Sequence, residues 1–471
     1  MVFSSAFFLF AFLPLALVLY RLAPVAWRNT VLMLVSLAFY TWGEREYAWV
    51  LLASIAGNYL AALWIGRAPS PVIGRRRAAV AVAANLLLLF AFKYANFVSD
   101  NLNIVLRRLG VETIHLEPMH LPIGISFFTF QAIAYVVDVA TRAVPVERSP
   151  IRYALYAALF PHLVAGPIVR YRDIADQLAS RTSGLDQFAS GVRRFVVGLA
   201  KKVLLANTLA TTADAAFGRP DIELSAGAAW LGLICYSMQI YFDFSGYSDM
   251  AIGLGRMFGF EFLENFRHPY TAKSVTDFWR RWHISLSSWL RDYVYIPLGG
   301  NRASPRRVLI NLMVVFVLCG LWHGAAWTFL LWGLWHGAFL IVERVGLADR
   351  LANWPTLVQR VYTLLAVAGG WVLFRADTVG DARRYFRALF GLRSGLELQD
   401  LLTVDIAVAL IVGVAASFPL LTVVRRKLAE VRWHPEAVSA GAELAFCSAM
   451  LGLSVWLLAA GSYQPFLYFR F

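Results

Sequence analysis

Two histidines lie inside a long uncharged stretch of the chain. Val308 to Val342 is a run of 35 residues without Asp, Glu, Lys or Arg, and His323 lies near its middle within Leu-Trp-His-Gly-Ala. The same five residues recur at 334–338 and include His336. Imidazole suits general-base catalysis because its pKa is close to physiological pH, and polar groups at membrane depth tend to be functional because burying them is costly. His323 is therefore the first candidate base, and the alternative is a core histidine bonded to a backbone carbonyl.

The spacing of these two histidines argues against a metal site. His323 and His336 are thirteen residues apart. On one continuous helix they would point about 220° apart, whereas helical metal sites favour histidines four residues apart. We therefore expect no bound metal and a structural role for His336.

A further histidine, His283, lies in a segment that predicts an amphipathic helix from Asp277 to Pro297. At about 100° per residue, one side of this helix is polar and the other is a narrow apolar stripe, made of Trp279, Trp282, Leu286, Trp289, Leu290 and Tyr293. Such a pattern is typical of a helix lying in the plane of the membrane. His283 falls at the edge of the stripe, so it either points into the protein or belongs to a surface helix.

Two carboxylates, Asp243 and Asp249, lie at the end of an apolar run in Tyr-Phe-Asp-Phe-Ser-Gly-Tyr-Ser-Asp. Buried acids need partners, and we expect the arginines of the predicted amphipathic helix to supply them. A structural ion pair is favoured over direct catalysis. With these two acids, the remaining residues predicted to bind substrate or line the core are Ser245, Tyr247, Trp282, Trp322 and Asn301.

Two other features have both a structural and a functional interpretation. Asn301 begins a basic loop that runs to Arg307, which either marks the cytoplasmic side or attracts the phosphates of a nucleotide-like donor. His162 follows Pro161 and precedes an Ala-Gly-Pro break, where it lines a cavity or caps a kink, and we favour the structural role. The chain has no phosphate-binding Gly-rich loop, no His-Glu-x-x-His and no Gly-x-Ser-x-Gly.

The elements that position these residues are predicted to be membrane helices. Hydrophobic residues make up 59% of the 471 and charged residues only 15%, with 16 Trp and 34 Phe. This composition excludes a water-soluble or disordered chain. The net charge of +14 fits positively charged cytoplasmic loops, and no basic polar module is present that would bind nucleic acid. Cys235, Cys319 and Cys447 lie in apolar runs and are interpreted as packing residues.

Charges flanking the first apolar runs predict the topology. The run from Val2 to Tyr20 has no cleavage pattern and is followed by Arg21 and Arg28, so we expect a retained anchor with the N-terminus outside. Further runs lie near 29–42, 47–66 and 78–97. The arginines between the last two, Arg67 and 75–77, are then cytoplasmic by parity.

Other apolar runs are interrupted. The 308–342 stretch would be about 50 Å long as one helix, too long for a hydrocarbon core of about 30 Å. Pro and Gly also break 121–140 and 153–169, where we expect re-entrant segments. Uninterrupted runs lie at 225–242, 361–374, 406–424 and 444–469. The sequence therefore predicts an all-α polytopic membrane protein with about 10 to 12 membrane segments, forming one domain over 1–471: N-terminal spans 1–97, a catalytic core 121–343 and C-terminal spans 361–471.

Several motifs together resemble the membrane-bound O-acyltransferase family, in particular its bacterial branch containing the alginate O-acetylation membrane subunit. They occur in order across nearly the whole chain: 121–131 (Leu-Pro-Ile-Gly-Ile-Ser-Phe-Phe-Thr-Phe-Gln), 160–167, 241–250, 265–270 (Asn-Phe-Arg-His-Pro-Tyr), 277–301, 320–327 and 465–469. The resemblance implies a funnel-shaped helical core. His323 matches the family's deep histidine, and His283 matches a second family histidine.

The resemblance also implies the reaction and its partners. The donor would be a cytoplasmic acyl thioester such as acetyl-CoA or a carrier-protein thioester, with no bound cofactor. The acyl group, acetyl above all, would move toward hydroxyls of an extracytoplasmic polysaccharide such as alginate. The implied partners are a periplasmic Ser-type acetyltransferase, proteins of a polysaccharide pathway and the lipid bilayer of the bacterial cytoplasmic (inner) membrane.

Two other classes of function stay open from the residues. A transporter or channel would use the intramembrane histidines and acids as a permeation path and would explain broken helices equally well. A structural scaffold for an export complex would tolerate loss of any single histidine. The acylated polymer and the acyl group are not encoded in these motifs.

Overall fold

Helices are the regular secondary structure of the described parts of the chain. A computed structural model describes residues 2–182, 184–218, 223–391, 395–419 and 436–461, with side chains from 441 onward in the last range. No β-strand occurs in these ranges, and one isolated bridge joins Leu224 and Leu396. The predicted all-α fold class is thus confirmed. The 465–469 motif and the ends of the predicted runs 406–424 and 444–469 lie outside the described residues.

The helices of the first third of the chain, in order, are α1 Leu13–Leu22, α2 Arg28–Gly43, α3 Ala48–Gly66, α4 Pro71–Lys93, α5 Ala95–Arg108, α6 Ile125–Ala140, α7 Pro150–Ala158, α8 Phe160–Leu163 and α9 Tyr171–Ala179. Those of the remainder are α10 Leu185–Ala200, α11 Asn207–Phe217, α12 Ala226–Met257, α13 Val275–Trp279, α14 Ile284–Leu290, α15 Pro305–His323, α16 Trp327–Val342, α17 Ala348–Ala352, α18 Thr356–Arg375, α19 Val379–Leu389, α20 Leu398–Leu401, α21 Val404–Ser417 and α22 Glu436–Ala459. A π-helical stretch, Lys201–Ala206, joins α10 to α11.

The chain forms two compact units. The first comprises Met1–Val192 and Ala251–Leu263. In it α3, α4 and α6 pack against one another. Asn58 and Asn85 hydrogen-bond reciprocally between α3 and α4, at 3.0 and 2.7 Å, which satisfies two buried amides.

The interruptions predicted in the first unit are present. Helix α6 begins after Gly124, which has φ +76°, a left-handed conformation that favours glycine. A Cβ at this position would lie 2.7 Å from the carbonyl oxygen of Leu163. The second predicted interruption divides 153–169 into α7 and the single turn of α8. The helical pattern is thus interrupted at both predicted places, before α6 and between α7 and α8.

The second unit comprises Arg193–Met250 and Glu264–Phe471. Helices α15 and α16 form its closest helix pair, and α16 also packs on α18. Helix α13 is fixed to this pair by Glu343, a buried carboxylate that accepts hydrogen bonds from the backbone N–H groups of Val275 and Thr276 at 2.7 and 2.9 Å. A carboxylate at a helix N-terminus satisfies N–H groups that have no partner within the helix.

Fewer helices can cross a membrane by length and composition than the 10 to 12 segments predicted. Within the described ranges six do so, or seven if the α4–α5 pair, bent by 65°, is one span. Three shorter apolar helices, Phe8–Leu22, Ile125–Ala140 and Val404–Ser417, account for part of the difference. The division of the chain into one domain with a 121–343 core stays a prediction.

One long helical run was missing from the prediction altogether. Leu185–Phe217 is long and apolar enough to span, and 72% of its most apolar window is buried, against 28% for Ala48–Gly66. Its four basic residues, Arg193, Arg194, Lys201 and Lys202, interrupt the apolar pattern in the sequence. Acidic side chains within the fold pair with Arg194, Lys201 and Lys202.

Candidate active site

The 308–342 stretch forms a helical hairpin that ends its first arm at the candidate base. Helix α15 ends at His323, and Gly324 is extended, with φ −166° and ψ 151°, before α16 begins at Trp327. Three glycines bring the arms together. A Cβ on Gly320 or Gly333 would collide with the backbone of the opposite helix at Phe329 or Phe316, and one on Gly337 would collide with Met313. The predicted break is confirmed. His323 and His336 therefore lie on two different helices, and the angle between them on one continuous helix does not apply.

His323 is enclosed by aromatic rings. It is 3% exposed, and its ring centroid lies 4.9, 5.0 and 5.1 Å from those of Trp322, Trp332 and Phe374. All three contacts are edge-to-face. Helices α15, α16 and α18 thus each contribute a ring. Such walls exclude water, which strengthens the electrostatic interactions of the imidazole with a bound substrate.

His283 lies beside His323. The two ring centroids are 6.5 Å apart, and His283 also contacts Phe244 of α12 at 4.6 Å and Trp322 at 5.9 Å. His283 is 0% exposed, and burial lowers its pKa to about 3, so the ring is neutral at physiological pH. Two candidate residues forty positions apart in the sequence therefore meet in one buried place.

The segment carrying His283 is not the single amphipathic helix that was predicted. It is divided into α13 and α14, and His283 occupies the joint with φ +43°, a conformation that is uncommon outside glycine. Backbone hydrogen bonds to 265–267 explain the break: Arg267 N–H donates to Arg281 O, and Ile284 N–H to Asn265 O. The predicted apolar stripe from Trp279 to Leu290 is buried in the protein.

Asn265 fixes the His283 joint through its side chain. Its Oδ1 accepts hydrogen bonds from Ser285 N at 3.1 Å and from Ser285 Oγ at 3.0 Å. His283 Nδ1 lies 3.2 Å from the same oxygen. Asn265 and His283 are both buried, so the amide substitutes for water around this bend.

The two remaining candidate histidines have structural surroundings. His336 is buried and accepts a hydrogen bond at Nδ1 from Trp279 Nε1 at 3.4 Å. His162 lies in the first unit, where Gln131 Nε2 is 2.6 Å from its Nδ1. Among the described residues, no group of three or more His, Cys, Asp or Glu side chains is placed to hold a metal ion.

The partners predicted for the two carboxylates were wrong. Asp243 pairs with Lys202 at 2.5 Å, and both are almost completely buried. Asp249 pairs with Arg194 at 2.8 Å and with Lys201 at 2.6 Å. The cations come from the Leu185–Phe217 run and not from the arginines near His283. Their roles as structural ion pairs agree with this geometry.

The other predicted site residues divide into two groups. Trp322 contacts both histidines, and Trp282 packs with Phe266 and Trp371 at ring-centroid distances of 5.0 Å. Ser245 and Tyr247 are buried on α12. Asn301 is exposed and accepts a hydrogen bond from Tyr295 Oη at 2.8 Å, and no described contact joins it to the histidines.

Sequence reasoning missed several residues that shape this site. Trp332 and Phe374 form walls beside His323, and Asn265 holds His283. Asn265 begins the 265–270 family motif, so the sequence marks this residue but does not indicate its role. Phe374 is 51 residues from His323, and no local pattern indicates such a contact.

Comparison with known proteins identifies the family at this point. The model of the membrane-bound O-acyltransferase family (MBOAT) matches residues 87–368. The chain belongs to this family. It is 42% identical to "Probable alginate O-acetylase AlgI" of Azotobacter vinelandii over 100% of both chains. It is 45% identical to the protein of the same name in Pseudomonas aeruginosa, over 83% of this chain and 75% of that one. It is 36% identical to the "Peptidoglycan O-acetyltransferase" of Helicobacter pylori, over 85% and 82%.

Membership of the MBOAT family makes the protein a membrane-embedded O-acyltransferase. It favours an enzyme over the transporter and scaffold alternatives that the residues alone left open. The resemblance to the bacterial alginate O-acetylation branch is confirmed by the identities across the whole chain.

Proposed function

We propose that this MBOAT protein moves an acetyl group from a cytoplasmic thioester, acetyl-CoA, toward hydroxyls of an extracytoplasmic polysaccharide of the alginate type. The observation that carries the proposal is the pair of buried imidazoles, His283 and His323, with ring centroids 6.5 Å apart. The names of the relatives supply the acyl group and the polymer class. No bound cofactor is needed for this chemistry.

His323 acts as the general base. It takes the proton from the acceptor hydroxyl while that oxygen attacks the thioester carbonyl carbon. The tetrahedral intermediate collapses, the C–S bond breaks and the thiolate leaves. The imidazolium then returns its proton to the thiolate, so the products are an O-acetyl ester and free CoA thiol. A positioned base contributes about 10²–10⁴-fold to the rate, and orientation in a dry site adds to this.

His283 orients a substrate beside this base. Trp322 touches both rings, so the two imidazoles and the indole form one continuous wall. This wall is supported from α12 and from the α13–α14 joint by Asp243, Ser245, Tyr247, Asp249 and Trp282. Asn301 belongs to a basic loop that attracts the phosphates of the donor.

The protein works in the bacterial cytoplasmic membrane, with its N-terminus outside and with the α3–α4 loop and the arginines at the start of α4 in the cytoplasm. Exposed apolar side chains on α3, such as Leu60 and Trp64, suit contact with lipid. A periplasmic Ser-type acetyltransferase acts as the partner on the extracytoplasmic side, and further proteins of the polysaccharide pathway supply the polymer.

The test uses purified full-length protein in lipid nanodiscs with [¹⁴C]acetyl-CoA, an alginate oligosaccharide and a periplasmic extract. CoA thiol release and transfer of label to the oligosaccharide are measured together. We expect His323→Ala to lose at least 10²-fold in both rates. The exposed His115 gives a matched control, and His115→Ala should retain both.

Thermal unfolding of each variant separates loss of the base from loss of the fold. If folded His323→Ala transfers acetyl at the wild-type rate, His323 is not the base. If the wild-type protein releases no thiol with acetyl-CoA but does so with an acylated carrier protein, the proposed donor is wrong.

A further inference from the structure

The hydrogen bonds around Asn265 determine how its amide is oriented. The backbone N–H of Ser285 can only donate, and it points at the Asn265 side-chain atom that also faces Ser285 Oγ and His283 Nδ1. That atom must therefore be the amide oxygen. The opposite orientation would place two donors, an N–H and an NH₂, against each other inside the protein.

The orientation of the amide in turn determines the tautomer of His283. An amide oxygen cannot donate, so the hydrogen bond between it and Nδ1 requires the proton to be on Nδ1. Because burial keeps this imidazole neutral, it has only one N–H. Its Nε2 therefore carries a lone pair and no proton.

Nε2 of His283 has no partner within the described residues. It is completely buried, and no hydrogen bond from the described parts of the chain reaches it. A buried nitrogen without a hydrogen bond costs about 1–3 kcal/mol, and such groups require an explanation. Since His323 lies next to this ring, the missing partner is expected to be a substrate group bound between them.

We propose that Asn265 is a positioning residue, which holds the proton of His283 on Nδ1 so that Nε2 accepts a hydrogen bond from the acceptor alcohol. This inference rests on the proposed acyl transfer and makes one of its steps specific. A nitrogen with only a lone pair cannot donate to the thioester carbonyl or to phosphate. His283 therefore binds a donor group of the acceptor, next to the hydroxyl that His323 deprotonates, and does not stabilise the oxyanion.

The tautomer can be tested without measuring activity. The protein is labelled with [¹⁵N]imidazole histidine, reconstituted in lipid and studied by solid-state NMR, and the His283 signals are assigned by their loss in His283→Gln. We expect one protonated nitrogen, Nδ1, and one unprotonated nitrogen, Nε2. A protonated Nε2 in the wild-type protein would overturn the inference even if acetyl transfer were normal.

The kinetic test compares two substitutions of Asn265 with a matched control. Asn265→Ala frees the ring to change tautomer, so we expect the KM for alginate oligosaccharide to rise and kcat to fall, together about 10²-fold in kcat/KM. The KM for acetyl-CoA should change less than 2-fold. The control is Asn311→Ala on α15, another buried amide, whose Nδ2 donates to Leu298 O away from the histidines.

Asn265→Asp provides a conservative rescue with its own pH signature. A carboxylate still accepts from Nδ1 and from Ser285 N–H, so activity at pH 8 should return to within about 5-fold of the wild type. The same charge raises the pKa of His283, so activity should fall toward pH 6, where the wild-type protein stays active. Among the described contacts of His283, His323 is titratable, whereas Phe244, Trp322 and Ser285 carry no charge.

The outcomes separate the inference from the proposed function. Equal losses for Asn265→Ala and Asn311→Ala, or a rise in the KM for acetyl-CoA alone, would overturn the positioning role. If the wild-type protein transfers no acetyl group while the NMR spectrum shows an unprotonated Nε2, the proposed function fails and the tautomer assignment stands.

Discussion

Replacement of Lys202 by methionine should be among the most destabilising single changes in the second unit. Lys202 and Asp243 are 3% and 1% exposed and 2.5 Å apart. Lys202→Met keeps the length of the side chain but leaves the carboxylate buried without its cation. Removing one partner of a buried ion pair typically costs about 3–5 kcal/mol. At roughly 2 °C or more per kcal/mol for a domain of this size, the apparent Tm should fall by about 6 °C or more.

The neighbouring lysine provides a matched control. Lys201 is 26% exposed, and its partner Asp249 also pairs with Arg194 at 2.8 Å. Lys201→Met therefore leaves that carboxylate with a cation, and the expected cost is about 0–1 kcal/mol. The two variants make the same chemical change at adjacent positions, and they differ in the burial of the pair and in the second cation that Asp249 keeps.

The assay follows the exposure of buried thiols. Cys235 and Cys319 are buried, so a thiol-reactive fluorescent dye reports unfolding in detergent at a fixed heating rate. In the double variant Lys202→Met/Asp243→Asn no charge is left buried, and at least half of the lost stability should return. If Lys202→Met unfolds within 1 °C of Lys201→Met, or if the double variant is no more stable than the single one, the ion pair does not stabilise this unit.

Three other predictions concern packing, topology and pH. Gly333→Ala should destabilise the α15–α16 hairpin by about 1–3 kcal/mol, because its Cβ would collide with the Phe316 backbone, whereas Gly57→Ala, with open space around it, should not lower the Tm. Pro69→Cys in the α3–α4 loop should resist a membrane-impermeant maleimide in intact spheroplasts and react after permeabilisation; labelling in intact cells would reverse the topology. Burial lowers the pKa of His283 from 6.5 to about 3. As the pH falls below 6.5, the unfolded chain therefore binds a proton at this imidazole that the folded protein does not bind. The free energy of unfolding should decrease for this reason, by roughly 2 kcal/mol at pH 5. His283→Gln should lose this part of the dependence in the same thiol-dye assay, and an identical pH dependence would contradict it.

The features that the sequence predicted depend on residues close together in the chain. The hairpin of α15 and α16 follows from a 35-residue uncharged stretch that is too long for one span, and the glycines within it mark the turn and the contact between its arms. Gly124 similarly begins α6 after a predicted interruption. In each case the cause is local, since backbone conformation and span length are properties of a short segment.

The missed elements depend on distant residues. The sequence prediction omitted Leu185–Phe217 because basic residues raise the cost of inserting a helix into a membrane. In the fold the cost is offset by Asp243 and Asp249, more than 40 residues away. In apolar helices such as Ala48–Gly66 only 28% of the most apolar window is buried, whereas this charged helix is mostly buried. A helix surrounded by protein can contain charged residues because other side chains, and not lipid, surround the charges.

The difference between local and distant causes also explains why the sequence predicted the position of His323 at a helix break but not the orientation of His283. His323 ends a helix at a glycine break that the sequence displays. The sequence places His283 at the edge of the apolar stripe of a continuous helix, where helical periodicity alone would set its direction. Its actual orientation comes from a left-handed backbone joint and from the amide of Asn265, eighteen residues earlier. The residues of 277–297 have the composition of an amphipathic helix, but two backbone hydrogen bonds to 265–267 replace continuous helical bonding there. As a result a neutral imidazole lies beside the candidate base. Local strain retained at a buried polar joint is what a functional position is expected to show.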